Sequence, residues 1–241
     1  MFYSIQGEGR TMGIPCIFIR LAGCNILCGG IDNVNEKGMK NGATWRCDSI
    51  EVWKKGQPKS PEEIVMELDS KFDFLQMMKS EYVHLIITGG EPLLQIEAIE
   101  EFIIYLNGMG IFPVIEIETN GTIVPSEILT DAVEYWNVSP KLSNSGVNRD
   151  SRINPKALAY FGNSDKAIFK YVIHSPSDFE EVRQFVKLTG VMKEKIWLMP
   201  AASDQIQLAK VSEEVVKICL TERMNFSSRL QIGIWNKLTG V

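Results

Sequence analysis

Short apolar runs alternate along this chain with longer stretches in which apolar residues recur every three or four positions. The runs are Pro15 to Leu21, Tyr82 to Ile87, Val114 to Glu118, Trp136 to Val138, Ala167 to Ile173 and Lys195 to Met199. Each is short and flanked by polar or breaker residues, as buried strands of a parallel sheet are. Between them, Ile99, Phe102, Ile103 and Leu106 share one helical face, and Asn107-Gly108 ends that helix. Ser60-Pro61-Glu62-Glu63 is a helix start, with Ser at the N-cap, Pro at the first helical position and Glu at the third. That helix is expected to run to about Lys79. Further helices are expected over 176–187 and 204–220, and Leu230 to Trp235 is a last apolar segment. Phe2 to Arg10 reads instead as a polar, glycine-punctuated loop, in which Gly7 and Gly9 let the backbone bring Glu8 close to whatever it faces. Strand and helix alternate throughout, and each strand ends in a polar or Gly-rich motif. This predicts an α/β fold, an incomplete TIM-type barrel of about six parallel strands with its chemistry at the strands' C-terminal ends. No repeat, low-complexity tract or linker divides residues 1–241, so one domain is expected.

Three of the five cysteines, Cys24, Cys28 and Cys47, lie in and after a Gly-containing segment that follows the first run. Soft thiolates suit an iron–sulfur cluster or zinc, and buried free thiols also pack as small hydrophobes. Spacing leaves these open, although zinc sites usually pair cysteines two residues apart and no set of such pairs exists here. Three thiolates on a cubane cluster would leave one iron without a protein ligand. The eighteen residues 29–46 are rich in Gly, Asn and Lys and read as an inserted loop. Cys16 and Cys219 read as core. Arg20 interrupts an apolar strand near its C-terminal end, where an unpaired guanidinium would be costly, so it should have an anionic partner. Thr88-Gly89-Gly90-Glu91-Pro92 offers backbone groups to a ligand, or is a tight connection. A net charge of −5 gives no basic field for nucleic acid. There is no apolar run of membrane-spanning length and no signal peptide, and the odd cysteine count suits a reducing, cytoplasmic setting.

With these residues in hand, the chain resembles, over nearly its whole length, the 7-carboxy-7-deazaguanine synthase family of radical S-adenosylmethionine (SAM) enzymes. The resemblance rests on Phe2 to Arg10, Phe18 to Asn25, Thr88 to Pro92, Glu118 to Thr122 and Ser139-Pro140-Lys141. Thr-Gly-Gly-Glu-Pro is shared by many radical SAM enzymes, whereas Gln-Gly-Glu-Gly combined with Ser-Pro-Lys is much more specific. Three departures stand out. The superfamily's usual motif is Cys-x-x-x-Cys-x-x-Cys followed by Asp-Thr; here the third cysteine arrives only at Cys47, before Asp48, and Ser49 replaces the Thr. Gln231 stands where relatives often carry His, and Gln cannot be protonated, so a proton-transfer role there is not expected.

The resemblance implies a radical SAM core with a modified cluster-binding loop. Cys24, Cys28 and Cys47 would hold a [4Fe–4S] cluster whose fourth iron binds SAM, and reduction would split SAM to methionine and a 5′-deoxyadenosyl radical. It places Gly89, Gly90 and Glu91 at the SAM amino group, partly through backbone carbonyls, and Glu118, Asn120, Ser139 and Lys141 around its ribose and carboxylate. It implies 6-carboxy-5,6,7,8-tetrahydropterin as substrate, hydrogen abstraction at C6, ring contraction, release of ammonia, and 7-carboxy-7-deazaguanine as a product for queuosine-type 7-deazapurine biosynthesis. Gln6, Glu8, Arg20, Thr88, Gln231 and the carboxylate of Val241 are its substrate-binding candidates, with Arg20 on the substrate carboxylate and Glu8 on the amino-pyrimidinone edge. Ser49 would give Mg2+ a hard oxygen. An electron donor such as flavodoxin or ferredoxin and a homodimer are the implied partners. A glycyl-radical-enzyme activase and a zinc-binding interaction module are the competing readings; neither accounts for all the strand-end motifs together.

Overall fold

All six expected runs form strands in the computed structural model, which describes residues 1–29, 42–80 and 82–238. They are β2 (Pro15–Leu21), β3 (His84–Gly89), β4 (Ile115–Thr119), β5 (Val133–Val138), β6 (Ala167–Ile173) and β7 (Ile196–Pro200). Two strands join them, β1 (Phe2–Ile5) and the two-residue β8 (Asn225–Phe226), so among the described residues the sheet has eight strands rather than about six. Spatial order equals chain order from β1 to β8. The β1–β2 pair is antiparallel and every later pair is parallel. Each parallel step needs a crossover, which the helices between the strands supply. Among the described residues the sheet does not close on itself.

Side chains alternate across the sheet. Ile17, Ile19, Leu85, Ile87, Ile115 and Ile117 point to the outer face and join the main apolar core. Helices α1 (Ile50–Trp53), α2 (Pro61–Phe72), α3 (Phe74–Met77), α4 (Ile96–Gly108), α5 (Glu127–Ala132), α6 (Arg149–Arg152), α7 (Pro155–Asn163), α8 (Pro176–Thr189), α9 (Gln205–Glu222) and α10 (Leu230–Trp235) follow in order. From them Leu68, Phe102, Phe161, Val182 and Val215 enter that core, each such burial contributing about 1.5–3 kcal/mol. The opposite, inner face carries a small cluster of Cys16, Phe18, Ile86 and Phe2, and otherwise polar side chains.

Two further expectations are corrected. The helix begun at Ser60 has its capping box, with Ser60 Oγ accepting from Glu63 N at 3.2 Å and Glu63 Oε2 accepting from Ser60 N at 2.7 Å. It ends at Phe72 rather than near Lys79, because Asp73 takes a left-handed conformation (φ 55°). That turn drives Phe74 wholly into the core at the start of α3. Phe2–Ile5 is likewise strand, not loop, with the Phe2 ring stacked 4.7 Å from Phe18.

The residues after β1 cross the inner face of the sheet. Gly13 N donates to Gln6 O at 2.8 Å, Thr11 Oγ1 donates to Glu116 Oε2 of β4 at 2.8 Å, and Gly9 N donates to Ser227 Oγ at 2.8 Å. Leu230 N closes the arrangement on Gly7 O at 2.9 Å. Gly9 has φ 75°, and a Cβ there would lie 2.8 Å from Asn137 Oδ1, so only glycine fits this crossing. The Gln-Gly-Glu-Gly segment thereby reaches from the first strand to the segment beyond the last, and it sets Glu8 above the strand ends. Among the described residues no helix is long and apolar enough to cross a membrane.

Candidate functional site

A cleft of about 910 Å3 lies over the C-terminal ends of the parallel strands. One wall is built from the turns after β2 and β3. Gly90 N donates to Leu21 O at 3.2 Å and Glu91 N to Gly23 O at 2.9 Å, which zips the two turns together. A Cβ at Gly90 would fall 1.9 Å from Gly23 O and 2.9 Å from Cys24 Cβ, so the glycines of Thr88-Gly89-Gly90 permit this backbone to lie directly beneath Cys24. Cys24 and Cys47 are half-buried and Cys28 is buried; all three are free thiols and all three line the cleft. Burial raises the Cys24 thiol and pushes Cys28 up to about 11, with Lys141 pulling both partly back. Cys47 N donates to Cys28 O at 3.3 Å, and Cys47 Sγ lies 3.4 Å from Ser49 Oγ. Among the described residues no three His, Cys, Asp or Glu side chains come together as ligands of a single metal ion do. Three separate thiols around one cavity could instead serve a multi-iron cluster, in which each iron takes one thiolate.

The opposite wall is charged. Glu8 accepts from Lys170 Nζ at 2.6 Å on one oxygen, and from Gln231 Nε2 at 2.7 Å and Arg229 Nε at 3.1 Å on the other. Burial alone would raise this carboxyl, but Lys170 and Arg229 overcome it and hold Glu8 far below the usual carboxylate range. Burial likewise works against the Lys170 ammonium, and the carboxylates of Glu8 and Glu118 more than restore it. Arg229 also donates to Asp48 Oδ2 at 2.5 Å, which ties this network to the residue after Cys47. Glu118 accepts from Thr88 Oγ1 at 2.8 Å and from Gln6 Nε2 at 3.5 Å. Lys141 Nζ donates to Ser139 Oγ at 3.0 Å and sits 5.9 Å from the Trp45 ring centroid. Arg20 is half-buried with its guanidinium 6.0 Å from the Phe2 ring centroid, and among the described residues no carboxylate pairs with it.

The structure thus brings fifteen of the residues singled out in the sequence to one cleft: Gln6, Glu8, Arg20, Cys24, Cys28, Cys47, Ser49, Thr88, Gly89, Gly90, Glu118, Asn120, Ser139, Lys141 and Gln231. Glu91 is not among them. Its side chain is wholly buried behind the wall, where it accepts from Asn120 N at 2.6 Å, Thr119 Oγ1 at 2.8 Å and Leu93 N at 3.0 Å. Asn120 reaches the cleft edge, but its amide already donates to Asn25 Oδ1 at 2.8 Å and accepts from Thr122. Val241 lies outside the described residues. Lys170, Arg229 and Asp48 were not anticipated. A lysine in the middle of the apolar run Ala167 to Ile173 is the same kind of signal that drew attention to Arg20, and it marks Lys170 equally well.

Fold and cleft define an α/β protein whose site lies outside the carboxyl ends of its parallel strands. No family model matches the chain. A protein of Pyrobaculum aerophilum named 7-carboxy-7-deazaguanine synthase is 31% identical over 243 residues, covering 100% of this chain and 95% of the relative. Proteins of the same name from Hyperthermus butylicus and Leptospira interrogans are 28% and 27% identical, over 96% and 100% of this chain and 89% and 96% of their own lengths. The chain belongs to the 7-carboxy-7-deazaguanine synthase family, and it is an enzyme.

Proposed function

We propose that this enzyme converts 6-carboxy-5,6,7,8-tetrahydropterin to 7-carboxy-7-deazaguanine with release of ammonia, as a lyase of 7-deazapurine biosynthesis, and that its sheet is the partial barrel of a radical SAM core. The observation that carries the reading is the single cleft in which three thiols face an Arg20 that no carboxylate among the described residues neutralises. A [4Fe–4S] cluster on Cys24, Cys28 and Cys47, with SAM at its open iron, would supply one-electron cleavage of SAM and hydrogen abstraction from the pterin.

The chain's own residues bind and orient. Arg20 pairs with the substrate carboxylate through two parallel N–H bonds, which a lysine cannot reproduce. Glu8 stays ionised, and with three donors already on its two oxygens it keeps room for about one more. Beside it, the Lys170 ammonium has further N–H groups to offer. An acceptor next to a donor is the complement of the N–H and C=O on a pyrimidinone edge. Gly89 and Gly90 present backbone to the SAM amino group, and Lys141 with Ser139 receives its carboxylate end. Ser49 Oγ, held among the described residues by long contacts to Cys47 Sγ and Gly89 O (3.4 and 3.5 Å), is available to Mg2+. Electrons come from a small carrier such as flavodoxin or ferredoxin, and the enzyme works as a homodimer in the cytoplasm.

The test is anaerobic reconstitution with iron and sulfide, then incubation with SAM, reductant, Mg2+ and the pterin, read by mass spectrometry. Formation of 7-carboxy-7-deazaguanine is expected. SAM cleavage with the pterin untouched would leave the cofactor assignment and remove the substrate. In the same assay Arg20→Lys raises the pterin KM about 10- to 100-fold, the worth of a charge-assisted hydrogen bond, while uncoupled SAM cleavage continues. An unchanged KM with a lower kcat would overturn the role given to Arg20.

A further inference from the structure

We propose that Asn144 and Ser145 form a clasp that sets Cys47 in register with Cys28 through Gly29, Thr44 and Trp45, so that cluster ligation does not depend on residues 30–41. This rests on the reading of Cys47 as the third cluster ligand. In the usual motif only two residues separate the last two cysteines, and covalent connection alone keeps them close. Here eighteen residues intervene, and proximity must come from elsewhere.

The described ends of the excursion show how. Cys47 N donates to Cys28 O at 3.3 Å, so the two cysteines are joined by their backbones. Gly29, with φ 78°, lies so close to the returning arm that a Cβ there would be 2.7 Å from Arg46 Cα and 2.9 Å from Trp45 O. The departing and returning arms therefore touch at their base. Consecutive residues of one turn then pin them. Gly29 N donates to Ser145 O at 2.9 Å on the departing side, and Thr44 N donates to Asn144 O at 2.8 Å on the returning side. The Asn144 side chain completes the link: Oδ1 accepts from Trp45 Nε1 at 2.9 Å, and Nδ2 donates to Val172 O in β6 at 3.0 Å. Asn144 is 4% exposed, and the turn follows directly on Ser139-Pro140-Lys141, whose lysine sits over the Trp45 ring.

A base closed in this way makes the excursion's length nearly irrelevant, because the cost of closing a loop grows only with the logarithm of its length. The third ligand is thus fixed by the sheet, through β6 and the 143–145 turn, rather than by its sequence distance from the second. Asn144, Trp45 and Gly29 are positioning residues.

The experiment compares cluster retention in the anaerobically reconstituted enzyme and its variants. The readouts are iron and sulfide per chain, the electron paramagnetic resonance spectrum of the reduced cluster, and the rate of iron loss to a chelator; circular dichroism checks folding. Replacing residues 30–41 by a short Gly-Ser linker should leave loading, spectrum and loss rate unchanged. Asn144→Ala and Trp45→Phe should each speed iron loss about fivefold, the worth of one hydrogen bond, and the double variant should lose iron no faster than the worse single one. If the linker chain folds but does not take up the cluster, or if Trp45→Phe and Asn144→Ala both keep the wild-type loss rate, the proposal falls. Trp45→Phe keeps the ring and so remains informative if Asn144→Ala does not fold. Cys47→Ala separates the two layers of inference: full retention of the native cluster would remove the ligand assignment itself, whereas its loss alongside an indifferent Asn144 would remove only the clasp.

Discussion

Lys170→Met lowers the unfolding free energy by about 3–5 kcal/mol, because removing one partner of a buried ion pair leaves the other uncompensated. Lys170 is 5% exposed, and its ammonium sits 2.6 Å from Glu8. Glu8→Gln has a cost of similar origin, since it leaves Lys170 and Arg229 facing a neutral amide. The double variant Glu8→Gln/Lys170→Met costs less than the sum of the singles, since only Arg229 then remains charged, and it keeps Asp48 as a partner. Denaturant midpoints at unchanged slope measure all three. The pH dependence follows from the same pair. Glu8 is depressed in the folded state, so its contribution is fully present above the ordinary carboxylate value, near pH 4, and is lost as the pH falls below it. The wild type therefore loses stability on acidification, and Glu8→Gln flattens that slope. A Lys170→Met chain as stable as the wild type would show that the pair has little energetic weight.

Much of this was legible in the sequence, and each exception has its own physical cause. Strand β6 occupies the predicted Ala167–Ile173, and α10 spans the apolar segment from Leu230 to Trp235. Long apolar runs bounded by breakers have one good solution, burial in a sheet. The strand-end motifs converged because parallel strands present their C-terminal ends on one side. Strand β1 was hidden because its four residues adjoin the Gln-Gly-Glu-Gly segment, whose glycines speak of a turn, and its order comes from Phe2 stacking on Phe18. Strand β8 and helices α1, α3 and α6 are too short for any period to show. Asp73 breaks a helix whose pattern continues, because burying Phe74 outweighs the strain of one left-handed residue, about 1–2 kcal/mol. Glu8 could be read as a functional carboxylate, but its partners lie 162 and 221 residues away. Only the crossing of the inner face by residues 6–11 brings them together.

For Glu91 a side-chain contact with SAM and a structural role make different predictions, and its replacement separates them. A glutamate in Thr-Gly-Gly-Glu-Pro reads as a cofactor contact, yet the carboxylate here spends its hydrogen-bonding capacity on Asn120 N, Thr119 Oγ1 and Leu93 N. Burial raises this carboxyl, and those three donors offset only part of the shift. The side chain is a strut: it fastens the turn after β3 to the turn after β4, and the first of these carries Gly89 and Gly90 beneath Cys24. Glu91→Ala orphans three donors in the interior and should cost about 3–5 kcal/mol, given roughly 1–3 kcal/mol for each buried group left unpaired and some relaxation of the turn. Glu91→Gln keeps an acceptor and should cost less. Thermal and denaturant unfolding of the protein without SAM measures this directly, since a cofactor contact contributes nothing when the cofactor is absent. A variant that unfolds with the wild type but binds SAM more weakly would return Glu91 to the cofactor. Early unfolding without SAM would leave the amino group of the proposed SAM to the backbone of Gly89 and Gly90, with Glu91 holding that backbone in place.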